Sequence, residues 1–343
     1  MSRFFKKLHH SSKSQSTPSS TDAAQQLALP SSTASPKHPE KHDESCAQTQ
    51  ISTALEDVTG LIELWPLRDR LAQEKINVDI VAIHGLNGNP FKTWTENGSF
   101  WLQDFLPSAV PNARIFTYGY NSAIAFSGSA ARVDDYARYL LERLVAKRRN
   151  LSTYDRRPII FICHSLGGIV LKKALVLAHE RSERYHTISS DTFGVMFMGT
   201  PHRGSDLAFW GKLFGTIADV LTLGSVRTQL LQDLQPKSLC LGSICSQFVE
   251  RGQSLRIFTI YERQKMKGLP NLVVDEHSAL MNLPNEVAVP IEADHRGMCR
   301  FSNQKSEKYQ MVFDCLRELL DDALNIEQPC MLPPPYLPYT LQQ

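Results

Sequence analysis

Ser165 stands in Ile160-Phe-Ile-Cys-His-Ser-Leu-Gly-Gly-Ile-Val170, an apolar run followed by a turn and the opening of a helical pattern. A serine at such a strand-to-helix elbow exposes its hydroxyl above the carboxyl edge of a sheet, and the sharp turn demands small residues where helix and strand approach. Gly167 and Gly168 meet that demand. The spacing is that of G-x-S-x-G with Cys163 in place of the first glycine, a residue small enough to be tolerated there. The chemistry such a serine performs is attack on an acyl carbonyl. A serine that only caps a helix is the blander alternative, and it leaves the His-Ser-Leu-Gly-Gly context unexplained.

An activated serine needs a base, oriented by a carboxylate. His295, in Ile291-Glu-Ala-Asp-His-Arg-Gly-Met298, follows the last strand pattern and gives the chain order serine, acid, histidine. His202, in Gly199-Thr-Pro-His-Arg-Gly-Ser205, is the second candidate, whereas His84 and His164 are read as shaping turns. The acid belongs at the end of the penultimate strand. Glu262 directly follows Leu255-Arg-Ile-Phe-Thr-Ile-Tyr261 and is favoured by position; Asp275, after Asn271-Leu-Val-Val274, is the alternative acid. Asp294 adjoins His295, so its side chain is expected to point elsewhere. Acyl transfer also needs N–H donors for the developing oxyanion. These are assigned to Leu166 and, in the Gly-rich loop Ile83-His-Gly-Leu-Asn-Gly-Asn-Pro90, to Leu86. That loop lacks the Gly-Lys-Ser/Thr ending of a phosphate-binding loop and the G-x-G-x-x-G spacing of a dinucleotide site. The chemistry calls for no metal and no cofactor.

These side chains need a scaffold that brings strand ends together. Strand patterns occur at 61–65, 79–83, 113–118, 158–162, 193–198, 255–261 and 287–291, several of them apolar almost throughout, as strands covered on both faces must be. Helical patterns lie between them at 130–148, 166–181, 206–223 and 306–325. The alternation predicts an α/β fold, a mainly parallel central sheet with helices on both faces. Within 206–223, Phe209, Trp210, Leu213, Phe214 and Ile217 form an apolar stripe that fits either a substrate-site cap or ordinary core packing.

The chain of 343 residues carries 37 Lys and Arg against 35 Asp and Glu, a net charge of 37 − 35 = +2, with 42% hydrophobic residues. That excludes a strongly basic nucleic-acid-binding chain and a wholly disordered one. The organisation expected is a disordered Ser/Thr/Pro-rich tail over 1–50, one large domain over 55–325 and a Pro-rich tail over 326–343. Seven scattered cysteines without a C-x-x-C pair argue against a disulfide framework or a thiolate zinc site and favour a reducing compartment. The acid-poor start, with Arg3, Lys6 and Lys7 beside Phe4, Phe5 and Leu8, fits a mitochondrial targeting segment, a membrane-surface contact or a solvated tail. No signal-peptide apolar region follows it, so secretion is not expected. No apolar stretch reads as a membrane span.

Six motifs in order carry a resemblance: His84-Gly-Leu-Asn-Gly-Asn-Pro-Phe-Lys-Thr-Trp94, Trp101-Leu-Gln-Asp-Phe-Leu-Pro107, Ala113-Arg-Ile-Phe-Thr-Tyr-Gly-Tyr120, His164-Ser-Leu-Gly-Gly168, the segment 199–205 and Ala293-Asp-His-Arg-Gly-Met298. The sequence resembles the serine-active-site-containing protein family, is related to the lipase-like domains of fungal NACHT-type proteins, and is more distantly similar to the glycosylphosphatidylinositol inositol-deacylase group. The resemblance implies an α/β-hydrolase with Ser165 and His295 in catalytic roles and an ester or lipid substrate. In its namesake branch it implies phospholipid remodelling at mitochondrion and endoplasmic reticulum contacts, with peripheral membrane contact; a cytoplasmic location is the alternative. The acid transfers poorly, because more distant lipases carry Asp-Gly-Val-Val where this chain has Asn271-Leu-Val-Val. The competing reading of the whole chain is a recognition or signalling module that has kept the hydrolase scaffold. Neither reading involves nucleic acid, and neither fixes an oligomeric state.

Overall fold

The computed structural model describes residues 58–66, 75–122, 131–152, 155–203, 210–213, 215–216 and 238–325. The two expected tails, 1–50 and 326–343, lie outside them. Seven strands form one sheet: β1 (Gly60–Trp65), β2 (Val78–Ile83), β5 (Ala113–Gly119), β6 (Ile159–His164), β7 (Thr192–Met198), β8 (Arg256–Glu262) and β9 (Glu286–Ile291), in the order β1-β5-β2-β6-β7-β8-β9. A separate two-stranded hairpin joins β3 (Thr95–Glu96) and β4 (Ser99–Phe100). Only β1 runs antiparallel to its neighbour; the other five pairings are parallel.

The central strands are buried along their whole length, which is why they read as unbroken apolar runs rather than alternating ones. Successive side chains still go to opposite faces. Val81, Ile83, Phe116, Phe161, Cys163, Val195 and Phe197 point to one face. There they meet the helices α3 (Ala131–Arg148), α4 (Gly167–Glu180), α5 (Ser182–Asp191) and α6 (Ser238–Gly252). Ile80, Ala82, Ile160, Ile162, Met196, Met198 and Ile260 point to the other. On that side they meet Trp94, Trp101 and the amphipathic α8 (Glu307–Asn325). Two short helices, α1 (Trp101–Asp104) and α2 (Leu106–Ala109), follow the hairpin.

Each predicted strand forms within one or two residues of its expected bounds. The helices at 130–148, 166–181 and 306–325 form as well, and of the pattern at 206–223 the described residues 210–213 and 215–216 are helical. Two helices of ten or more residues, besides the four-residue ones, fall outside the pattern reading. The first, α5, is Ser-Glu-Arg-Tyr-His-Thr-Ile-Ser-Ser-Asp, with just Tyr185 and Ile188 buried. The second, α6, is rich in Ser, Cys and Gly, which are poor helix formers. Its formation rests on packing: Leu241, Ile244, Cys245 and Phe248, at i, i+3, i+4 and i+7, are buried against the core. An antiparallel first strand, a parallel remainder and an elbow after the central strand β6 make this the α/β-hydrolase fold.

Candidate active site

The carboxyl ends of β2, β6, β7, β8 and β9 lie along one edge of the sheet; Glu262 ends β8, and the other candidates lie on the loops that follow these strands. In parallel sheets that edge is where loops converge and ligands bind. Ser165 follows β6 directly and adopts φ 52°, a left-handed conformation that side chains seldom take. The strain is held by hydrogen bonds on both sides of the residue. Its N–H donates to the Met198 carbonyl at 2.9 Å, and its own carbonyl accepts the Gly168 N–H at 3.1 Å and the Thr200 hydroxyl at 2.9 Å. Gly167 permits the approach behind it, because a Cβ there would lie 2.4 Å from the His84 carbonyl oxygen. Cys163, standing where a first glycine was anticipated, turns fully into the core.

The Ser165 hydroxyl lies 3.0 Å from His295 Nε2, and both side chains are buried. His295 arrives on the loop after β9. On its other side, Nδ1 lies 3.5 Å from Glu262 Oε1, within ion-pair range but without hydrogen-bond geometry, and neither Nδ1 nor Glu262 Oε2 has a hydrogen-bond partner among the described residues. Glu262 is the last residue of β8, inaccessible to solvent, and its Oε1 accepts the Val274 N–H at 2.5 Å. Asp275 is exposed, and its carboxylate caps α7 (Glu276–Ala279) by accepting the Ser278 N–H at 2.8 Å. Asp294 spends its Oδ1 on the N–H groups of Arg296 and Gly297, at 3.1 and 2.7 Å, and so shapes the turn that presents His295.

Beside the elbow runs the loop after β2. The N–H groups of Leu86 and Leu166 take no acceptor among the described residues. Buried donors are ordinarily paired, so two open ones beside a serine hydroxyl are suited to a ligand oxygen. His84 braces this loop. Its Nδ1–H donates to the Gly85 carbonyl at 2.9 Å, its Nε2 accepts the Tyr120 N–H at 3.4 Å, and its ring stacks on Tyr120 at 4.5 Å. Burial pushes the His84 imidazole down to about 4, so it stays neutral at physiological pH. Tyr120, whose hydroxyl donates to the His84 carbonyl at 2.8 Å, was not a candidate from sequence.

His202 is not brought to Ser165. It is buried edge-on against Phe197 at 4.6 Å, with no hydrogen bond to either ring nitrogen among the described residues. Burial, with the Lys172 ammonium nearby, holds it well below the usual histidine range. Of the apolar stripe, Trp210 and Leu213 are buried and Leu213 lines a cavity of about 450 Å3 with Leu269, Leu272, Val273 and Asp275. Phe209, Phe214 and Ile217 lie outside the described residues. Among the described residues no three His, Cys, Asp or Glu side chains converge as a metal ion would require, and no helix is long and apolar enough to cross a membrane.

No family model matches the chain. Among characterised sequences it is similar to Protein SERAC1 of Bos taurus, 26% identical over 282 residues that cover 72% of this chain and 40% of that protein. Against Protein SERAC1 of Homo sapiens the identity is 25% over 288 residues, with the same shares covered. By its fold the chain is an α/β-hydrolase. It spans 40% of the length of the SERAC1 proteins it matches. Solved structures similar to this α/β-hydrolase include the mature lipase BlEst2 of Bacillus licheniformis, at 18% identity and a TM-score of 0.46, with 76% of this chain and 97% of that one covered. A soluble variant of monoglyceride lipase from Saccharomyces cerevisiae, in complex with a substrate analogue, has 12% identity and a TM-score of 0.46, covering 77% of this chain and 91% of the other.

Proposed function

We propose that this α/β-hydrolase is a serine hydrolase acting on carboxylic esters. Ser165 Oγ attacks the acyl carbonyl as His295 Nε2 takes its proton. The oxyanion that forms is held by the N–H groups of Leu86 and Leu166, and Glu262 stabilises the imidazolium. Collapse of the tetrahedral intermediate expels the alcohol, protonated by His295, and leaves an acyl-Ser165. Water, deprotonated by the same imidazole, then releases the acid and restores the serine. With a second alcohol in place of water, the same intermediate gives acyl transfer. The observation that carries the reading is the 3.0 Å contact between Ser165 Oγ and His295 Nε2, with the serine strained at φ 52° beside two open N–H donors.

Within the same proposal the substrate is a lipid ester, met at a membrane surface of the mitochondrion or endoplasmic reticulum. The support is the likeness to SERAC1 and the motif resemblance behind it. The purified protein labelled with a fluorophosphonate probe tests the chemistry: Ser165→Ala and His295→Ala should abolish labelling while the wild type reacts. A folded wild type that takes no label would leave the recognition-module reading in its place.

A further inference from the structure

We propose that His164 is a positioning residue of this active site, fixing the base through the main chain of His295; the proposal rests on the assignment of Ser165 and His295 above. The need for such a residue follows from the acid side. With Nδ1 at 3.5 Å from Glu262 and no hydrogen bond formed, the carboxylate stabilises charge without fixing the plane of the ring. A base without a hydrogen bond on Nδ1 depends on the placement of its main chain, and a misplacement of about 1 Å at a reacting pair costs on the order of a hundredfold in rate.

His164 fixes the main chain from which the ring extends. It is the last residue of β6, turned to the face opposite Cys163, and it is buried. Its Nε2–H donates to the His295 carbonyl at 2.7 Å, short for such a bond, and the two rings lie 4.9 Å apart at 47°. A carbonyl only accepts, so the hydrogen must be on Nε2. Burial and the neighbouring His295 keep His164 well below the usual histidine range, so it stays neutral while His295 takes up its proton. Gly199 closes the other side: a Cβ there would sit 2.9 Å from His295 Cε1. The nucleophile and the donor that holds the base are thus consecutive residues on one strained elbow. The bond ties the main chain that carries the base to the residue before the nucleophile, in addition to the turn that Asp294 shapes.

The test compares His164→Gln, which keeps an N–H donor at similar reach, with His164→Met, which has similar length and no donor. Hydrolysis of p-nitrophenyl butyrate and the rate of fluorophosphonate labelling are the readouts, with thermal melting as the control for folding. His164→Met should lower kcat and the labelling rate by roughly a hundredfold with KM within about twofold. His164→Gln should recover most of that loss at a similar melting temperature. Equal rates for the two variants, whether both slow or both normal, would overturn the positioning role, since a packing role depends on shape and not on the donor. A wild type inert to both reagents would instead remove the serine-hydrolase assignment, and this proposal with it.

Discussion

Val274 donates its backbone N–H to Glu262 Oε1 at 2.5 Å, so the segment that carries Asp275 is also the one that holds the carboxylate beside His295. The two acids that compete in the sequence have separate tasks in the fold. One faces the imidazole from a dry position, and the other caps a helix at the surface.

Glu262→Gln should therefore lower kcat by roughly 10^2 to 10^4 with little change in KM, because the imidazolium loses its counter-charge. Asp275→Ala should keep kcat within about threefold and lose about 1 kcal/mol of stability with the cap. Steady-state kinetics and urea denaturation of the same two proteins separate these effects, and a reversed pattern would make Asp275 the acid.

Ser165 holds a left-handed conformation that glycine adopts at no steric cost. Ser165→Gly and Ser165→Ala should both be inactive, yet the glycine variant should be the more stable by about 1 kcal/mol. Chemical denaturation of the pair measures the strain kept at the elbow; equal stabilities would place the strain elsewhere.

Gly199 has φ 60° and no room for a side chain, with Met298 Sδ and the His295 ring both about 3 Å from where a Cβ would be. Gly199→Ala should push the imidazole off Ser165 and cut the fluorophosphonate labelling rate by about a hundredfold. Retention of full labelling in a folded variant would mean that the base loop yields without moving the ring.

Buried neutral histidines tie stability to pH. His84 resists protonation down to about 4, whereas in the unfolded chain it takes a proton near the ordinary value of 6.5. Between those values the unfolded state binds more protons, so stability is full above 6.5 and falls as the pH drops toward 4. His84 alone accounts for roughly 3 kcal/mol of that loss, and His164 and His202, lowered for the same reason of burial, act in the same direction. Urea midpoints measured across this window should decline steadily for the wild type and less steeply for His84→Asn. A variant slope as steep as the wild type's would acquit His84.

Much of the molecule is legible from local pattern alone. Side-chain period and residue type are properties of short stretches, so the seven strands, the elbow around Ser165 and the helices flanking it could be read without knowing their neighbours. His295 was also within reach, because a short motif following the last strand marks a loop at the edge where Ser165 lies. The helices α5 and α6 were harder for the opposite reason: their own residues favour helix weakly, and burial against α4 and the sheet decides the matter.

Sequence by itself determined the chemical inventory: a strained serine, a histidine after the last strand, two eligible carboxylates and a glycine-rich loop. Only the tertiary structure decided which carboxylate faces the imidazole. It also turned His164 from a turn residue into the donor on His295, a contact between positions 131 residues apart. Such pairings depend on the order and register of strands that meet after folding, and a hydrogen bond across the carboxyl edge of a sheet leaves no trace in the spacing of residues along the chain.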